Sequence, residues 1–228
     1  MTGWIGVDLD GTLAHYDGWL SPEHIGDPIE PMVRRIHQWQ HEGIEVRVMT
    51  ARASRSEMIA PVEKWLSHHD MPNIKVTNRK DFNLLQLWDD RAIQIETNTG
   101  KVLTPREHIS LEAKGWIGVE LDGTLAHFEK GQDPKTIGTP VGPMYQRVRE
   151  WLMAGIDVRL FTARASLPAM HPVIQQWLQT HKLDSMKVCF EKDFEMTTFW
   201  DDRGIHVVGN TGNIVVPIND FIPDHKYR

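Results

Sequence analysis

Asp8 and Asp10 stand two residues apart at the end of an apolar run, Trp4–Leu9, and Gly11 follows them. Asp89 and Asp90 close a second such run, Leu84–Trp88. Residues i and i+2 of a strand share a face, so both carboxylates of the first pair lean the same way as the strand ends. Glycine then lets the backbone turn sharply. Four acids converging without a cation would repel one another and raise their own pKa values. A hard divalent ion held by oxygen ligands removes that conflict. Mg²⁺ fits best, because it keeps positions free for water and a phosphate oxygen.

The same pattern is written twice. Gly3-Trp4-Ile5-Gly6-Val7-Asp8-Leu9-Asp10-Gly11-Thr12-Leu13-Ala14-His15 returns 112 residues later as Gly115-Trp116-Ile117-Gly118-Val119-Glu120-Leu121-Asp122-Gly123-Thr124-Leu125-Ala126-His127. The register holds without a gap to Asn98-Thr99-Gly100 against Asn210-Thr211-Gly212. The chain therefore reads as two domains, residues 1–107 and 115–228, joined by a linker at 108–114. The period is too long for a solenoid.

The elements that must position the acids follow from periodicity. Trp4–Leu9 reads as a buried strand. Pro31 opens a helix with Met32, Ile36 and Trp39 on one face, and Gly43 ends it. Ile44–Met49 is a second strand, finishing at Thr50. Ser54 or Ser56 can cap a second helix carrying Ile59, Val62, Trp65 and Leu66. Ile74–Thr77, Leu84–Trp88 and Ile93–Glu96 are further strands. Asn98-Thr99-Gly100 turns into a last one near Val102. Strands alternating with helices predict an α/β fold with a mostly parallel sheet in each copy. Ligands bind such sheets at the carboxyl ends of the strands, where Asp8, Asp10, Thr50, Asp89 and Asp90 all fall.

Val7-Asp8-Leu9-Asp10-Gly11-Thr12, then Met49-Thr50, Lys80 and Asp89-Asp90, taken in order, resemble the haloacid dehalogenase superfamily of phosphohydrolases. The resemblance covers both copies. It implies two tandem Rossmann-like domains, each a three-layer α/β sandwich, without a cap domain: only Leu13–Glu30 separates the first motif from the helix, and one helix and one strand fill Thr50 to Lys80. It implies Asp8 as nucleophile, Asp10 as acid and base, Thr50 on the transferring phosphoryl group, and Lys80 neutralising charge on Asp8 and the phosphate. Asp8, the Asp10 carbonyl, and Asp89 with or without Asp90 would hold Mg²⁺. The stretch Thr77–Asp81 with Trp88–Arg91 also looks like part of the 5′(3′)-deoxyribonucleotidases.

The second copy retains Asp122, Thr162, Lys192, Asp201 and Asp202 but has Glu120 in place of Asp8. A misplacement of about 1 Å can cost on the order of a hundredfold in rate. Glu120 is therefore expected to bind metal but to fail as a nucleophile, leaving a degenerate second site. In the first copy, Arg52 is a candidate phosphate contact or salt-bridge partner, and His15 a candidate substrate contact or structural group. Trp19, which has no counterpart tryptophan, could stack on a flat group or pack on the second copy. The other eight tryptophans pair across the repeat and read as core. Asp81 and Asp193 read as helix caps.

Lys and Arg number 25 against 31 Asp and Glu, a net charge of −6. No basic stripe suited to long nucleic acid is present. The lone Cys189 excludes an internal disulfide and fits a reducing compartment. No apolar run approaches the ~20 residues of a membrane span. These features predict a cytoplasmic protein with no membrane partner. It would hydrolyse a small phosphorylated substrate, with a nucleotide favoured. The two copies would form an intramolecular pseudo-dimer, and a homo-oligomer stays open. The alternative is a binding or regulatory protein that captures a phosphorylated ligand without turning it over.

Overall fold

The structure, a computed structural model, describes residues 3–109 and 114–216. The first half runs β1 (Trp4–Val7), α1 (Glu30–His41), β2 (Glu45–Met49), α2 (Ile59–His68), β3 (Lys75–Thr77), β4 (Leu84–Asp89) and β5 (Ala92–Gln94). The second repeats it as β6 (Trp116–Val119), α3 (Gly142–Met153), β7 (Asp157–Phe161), α4 (His171–Thr180), β8 (Lys187–Cys189), β9 (Met196–Asp201) and β10 (Gly204–His206). Pro31 lies in the first turn of α1, where its missing N–H costs nothing. Gly43 ends that helix with φ +75°. Two 3₁₀ turns, Ala51–Ser54 and Ser56–Met58, precede α2, and neither serine caps it. Residues 110–113 of the expected linker lie outside the described residues.

The fold is α/β with two five-stranded parallel sheets, ordered β10-β4-β1-β2-β3 and β5-β9-β6-β7-β8. Each half does not form the expected three-layer sandwich. Ile5, Val7, Val46 and Val48 share one core with Met32, Ile36 and Trp39 of α1 and Val62 and Leu66 of α2. On the other face, Trp4, Met49, Leu84 and Leu87 join Trp116, Phe161, Met196 and Phe199 of the second half in a separate core. The layers therefore run helices, sheet, sheet, helices. The order β1-α1-β2-α2-β3 moves in one direction, and right-handed crossovers put both helices on the same face. The return from β3 to β4 must pass β2 and β1, and residues 78–83 are too few to build a helix there. The bare face is covered instead by the other half.

The fifth strands are exchanged. β10 pairs with β4 of the first half, and β5 pairs with β9 of the second. Only Asp90 and Arg91 separate β4 from β5, and a parallel partner in the same sheet needs a crossover of roughly a dozen residues. β5 therefore runs on into the neighbouring sheet. The expected boundary at 107–115 separates the repeats but not the sheets.

Among the described residues no helix is long and apolar enough to cross a membrane. The exchange predicts that residues 1–109 expressed alone will not form a folded monomer. They would expose the β4 edge and an apolar face where each fully buried large side chain is worth about 1.5–3 kcal/mol. Light scattering after gel filtration should show self-association or aggregation; a folded monomer would contradict the exchanged architecture.

Candidate functional site

The first site forms where β1 and β4 end side by side. The Asp8 amide donates to the Trp88 carbonyl at 2.8 Å, which sets Asp8 beside Asp89. The Asp90 amide donates to Thr12 Oγ1 at 3.1 Å, so the loop after β1 also fixes Asp90. Gly11, at φ +84°, lets that loop pass; a Cβ there would stand 2.8 Å from Asp90 Oδ2. One ligand atom from each of Asp8, Asp89 and Asp90 falls within 4.8 Å of the others.

The lysine at this site comes from the second half. Lys192 Nζ donates to Asp8 Oδ1 at 2.6 Å and also to Asp89 Oδ2. Lys80, expected beside Asp8, instead donates to Asp201 at 2.6 Å and to Glu120. The short connections after β3 and β8 cause this. They cross the bare faces of the two sheets and pair with each other: Lys80 N–H donates to the Phe190 carbonyl and Lys192 N–H to the Asn78 carbonyl, both at 2.7 Å. Each lysine then enters the opposite half. Nothing in the sequence marks this except the brevity of those connections.

Burial and the charge of Asp89 raise the Asp8 carboxyl to about 6, against the pull of Lys192. Burial, Asp89 and Asp8 raise Asp90 to about 8. Burial also works against ionised Asp89, but Lys192 and Arg91 overcome it and hold that group below the usual range. Two buried oxygens, Asp8 Oδ2 and Asp90 Oδ1, have no hydrogen-bond partner. This oxygen-only, overcrowded acid set suits a divalent cation.

The backbone carbonyl of Asp10 is the expected metal ligand, while its carboxylate is engaged within the protein. Arg52 grips it with both ends of its guanidinium, Nε to Oδ2 and Nη2 to Oδ1, each at 2.8 Å. Arg52 spends further N–H groups on the carbonyls of Pro22 (3.0 Å) and His24 (2.9 Å). It is buried, and it ties the loop after the motif to Asp10 rather than standing free for a phosphate. Thr50 is buried, and its hydroxyl oxygen accepts from the Arg52 amide at 3.2 Å, which leaves its O–H to donate. His15 is exposed, with its backbone amide on the Asp27 carbonyl. Trp19 lies over Arg52 at 5.0 Å and meets Phe194 of the second half edge-on at 5.6 Å. Asp81 caps no helix; it accepts from the Trp4 indole and the Asn83 amide, each at 2.8 Å.

The second site keeps the same frame. Arg164 grips Asp122 as Arg52 grips Asp10, at 2.7 and 2.8 Å. Glu120 behaves differently from Asp8. Its extra methylene lets Oε1 accept from Thr162 Oγ1 at 2.8 Å and from the Leu121 amide at 3.0 Å, while Oε2 takes Lys80. Both oxygens are satisfied. Among the described residues, Asp8, Asp89 and Asp90 gather as acids that could hold an ion, and Glu120, Asp201 and Asp202 are not grouped in that way.

Comparison with protein-family models, curated proteins and solved structures finds no match to this chain.

Asp90 gives a pH prediction. Its folded value near 8 lies above its reference of 3.8, so between those limits the fold holds a proton that the unfolded chain has lost. The metal-free fold therefore loses stability through this group as pH rises from about 4 to about 8. Asp90→Asn should raise the metal-free Tm relative to wild type, and by more at pH 8.5 than at pH 4.5. A difference that does not grow with pH would contradict this electrostatic account.

Proposed function

We propose that this protein is a Mg²⁺-dependent phosphomonoesterase that works through Asp8 in the first half, on a small phosphorylated substrate. The observation that carries the reading is Asp8 Oδ2, a buried carboxylate oxygen with no partner, on a side chain whose other oxygen meets Lys192. The charged groups that act on Asp8 are Asp89, Lys192 and Arg91, and the two cations offset the negative charge that would repel a phosphate.

Asp8 Oδ2 attacks phosphorus, and the bond from phosphorus to the leaving oxygen breaks. Asp10, which must enter the step carrying a proton and give up one of its two Arg52 hydrogen bonds to deliver it, protonates that oxygen. This leaves an aspartyl phosphate. Asp10 then takes a proton from the water that attacks phosphorus, and Asp8 departs with phosphate released. The Thr50 hydroxyl donates to the transferring group. Lys192 screens the charge of Asp8 and Asp89 against the arriving phosphate. Mg²⁺ held by Asp8, Asp89 and Asp90 would supply Lewis-acid stabilisation of the phosphoryl oxygens. In the second half Glu120 has no oxygen to spare, which supports reading that half as the provider of Lys192 and not as a second catalyst.

Phosphate release from an aryl phosphate and a nucleotide panel, with Mg²⁺ or EDTA, tests this. Asp8→Asn should lower kcat by on the order of a thousandfold or more. Lys192→Met should lower it about 100- to 1,000-fold. Lys80→Met and Glu120→Gln, assayed well below their Tm, should stay within about threefold of wild type. No release from any substrate, with EDTA making no difference, would replace this reading with that of a binding protein. Equal loss in the two lysine variants would overturn the assignment of Lys192.

A further inference from the structure

Trp19, Arg55 and Phe194 line a cleft of about 240 Å³. Trp19 rests on Arg52, which grips Asp10. Phe194 follows two residues after Lys192, which grips Asp8. The guanidinium of Arg55 sits over the Phe194 ring at 5.2 Å. The walls of this cleft are thus anchored, one on each side, to the two acids of the motif. Trp19 is 43% exposed and Phe194 39%, so substantial aromatic surface is left uncovered.

The repeat supplies an internal control. Features with a structural duty persist in the second half. The Arg164–Asp122 grip is kept, with Arg164 still donating to the Pro134 and Thr136 carbonyls. The loop after each motif is pinned by an asparagine of the opposite half: Asn210 exchanges hydrogen bonds with Tyr16 at 2.8 and 3.0 Å, and Asn98 with Phe128 at 2.7 and 2.8 Å. The second loop is therefore held without a tryptophan, because Gly131 stands where Trp19 does. Arg55 corresponds to Leu167, which is 47% exposed. The counterpart of Phe194 is Phe82, also 47% exposed. Pinning the loop does not require Trp19, so its presence over the Arg52 that grips Asp10, in the half that carries Asp8, needs another cause. Trp19 and Arg55 are absent where the nucleophile is absent.

We propose that Trp19, Arg55 and Phe194 form the leaving-group subsite of the Asp8 centre, selecting a phosphomonoester that carries a flat aromatic ring. This rests on the phosphomonoesterase reading above. At about 240 Å³ the cleft is small beside the roughly 300–1,000 Å³ of a pocket for a drug-sized ligand, and it has room for one ring. Aromatic walls bind any π-face, and Arg55 adds a cation at the rim that favours a ring with electron-rich edge oxygens. The residues position the leaving group and do not touch phosphorus.

The test compares variant-to-wild-type ratios on phenyl phosphate, uridine 5′-monophosphate and glycerol 2-phosphate, which cancels the intrinsic reactivity of each ester. Trp19→Ala should raise KM for the two ring substrates tenfold or more, with kcat within threefold. KM for glycerol 2-phosphate should stay within threefold. Trp19→Phe should restore most of the loss, and Arg55→Leu should affect uridine 5′-monophosphate more than phenyl phosphate. Equal changes for all three substrates, or no change, would overturn the subsite. Calorimetric titration with phenylphosphonate, which is not a substrate, separates this proposal from the catalytic one. If the wild type hydrolyses nothing, the catalytic reading fails. Phenylphosphonate binding that weakens tenfold in Trp19→Ala still upholds the ring cleft, whereas binding unaffected by Trp19→Ala overturns it.

Discussion

Two connections are too short, and the rest of the molecule follows from that. Asp90 and Arg91 cannot return β5 to run parallel in its own sheet, and residues 78–83 cannot build a helix over the bare face between β3 and β4. Neither half can finish its sheet or cover it. Both are completed only by giving their fifth strands to each other and packing sheet on sheet. The helix-side cores of the two halves remain separate.

The same constraint builds the site. A connection that crosses towards the other half carries its lysine with it, so Lys192 serves Asp8 and Asp89 while Lys80 serves Glu120 and Asp201. These are buried ion pairs, in which desolvation opposes the attraction. Both effects show at Lys80: burial alone would lower its pKa, but Asp201 and Glu120 hold it above the usual lysine value. Removing one partner of such a pair commonly costs about 3–5 kcal/mol, because the other charge is left buried and alone. The second half is thus tied to the first through strand, lysine and loop contact together.

Much of this was legible in the sequence. The apolar runs ending in acids gave the strand ends, and Met32, Ile36 and Trp39 gave the buried stripe of α1. The 112-residue register gave the repeat and the change at Glu120. What could not be read was which half each element serves. Periodicity within a repeat is identical whether a strand pairs at home or is exchanged, so Ile93 and Ile205 carry no mark of their sheet. Lys80 was assigned to Asp8 for the same reason. The sequence leaves Arg52 open between a phosphate contact and a salt bridge, and the structure pairs it with Asp10. The carbonyls of Pro22 and His24 that take its other N–H groups belong to an irregular loop that periodicity does not place. Phe194 and Arg55 became visible only when folding brought them to Trp19.

A double-mutant cycle in thermal or denaturant unfolding tests the exchange of lysines without relying on any activity. Asp8→Asn and Lys192→Met are measured singly and together, and Asp8→Asn is then combined with Lys80→Met. Residues in direct contact typically couple by roughly 0.5–3 kcal/mol, and independent sites add within about 0.5 kcal/mol. The exchanged arrangement predicts coupling above about 1 kcal/mol for Asp8 with Lys192 and additivity for Asp8 with Lys80. Coupling of Asp8 to Lys80, with none to Lys192, would contradict it.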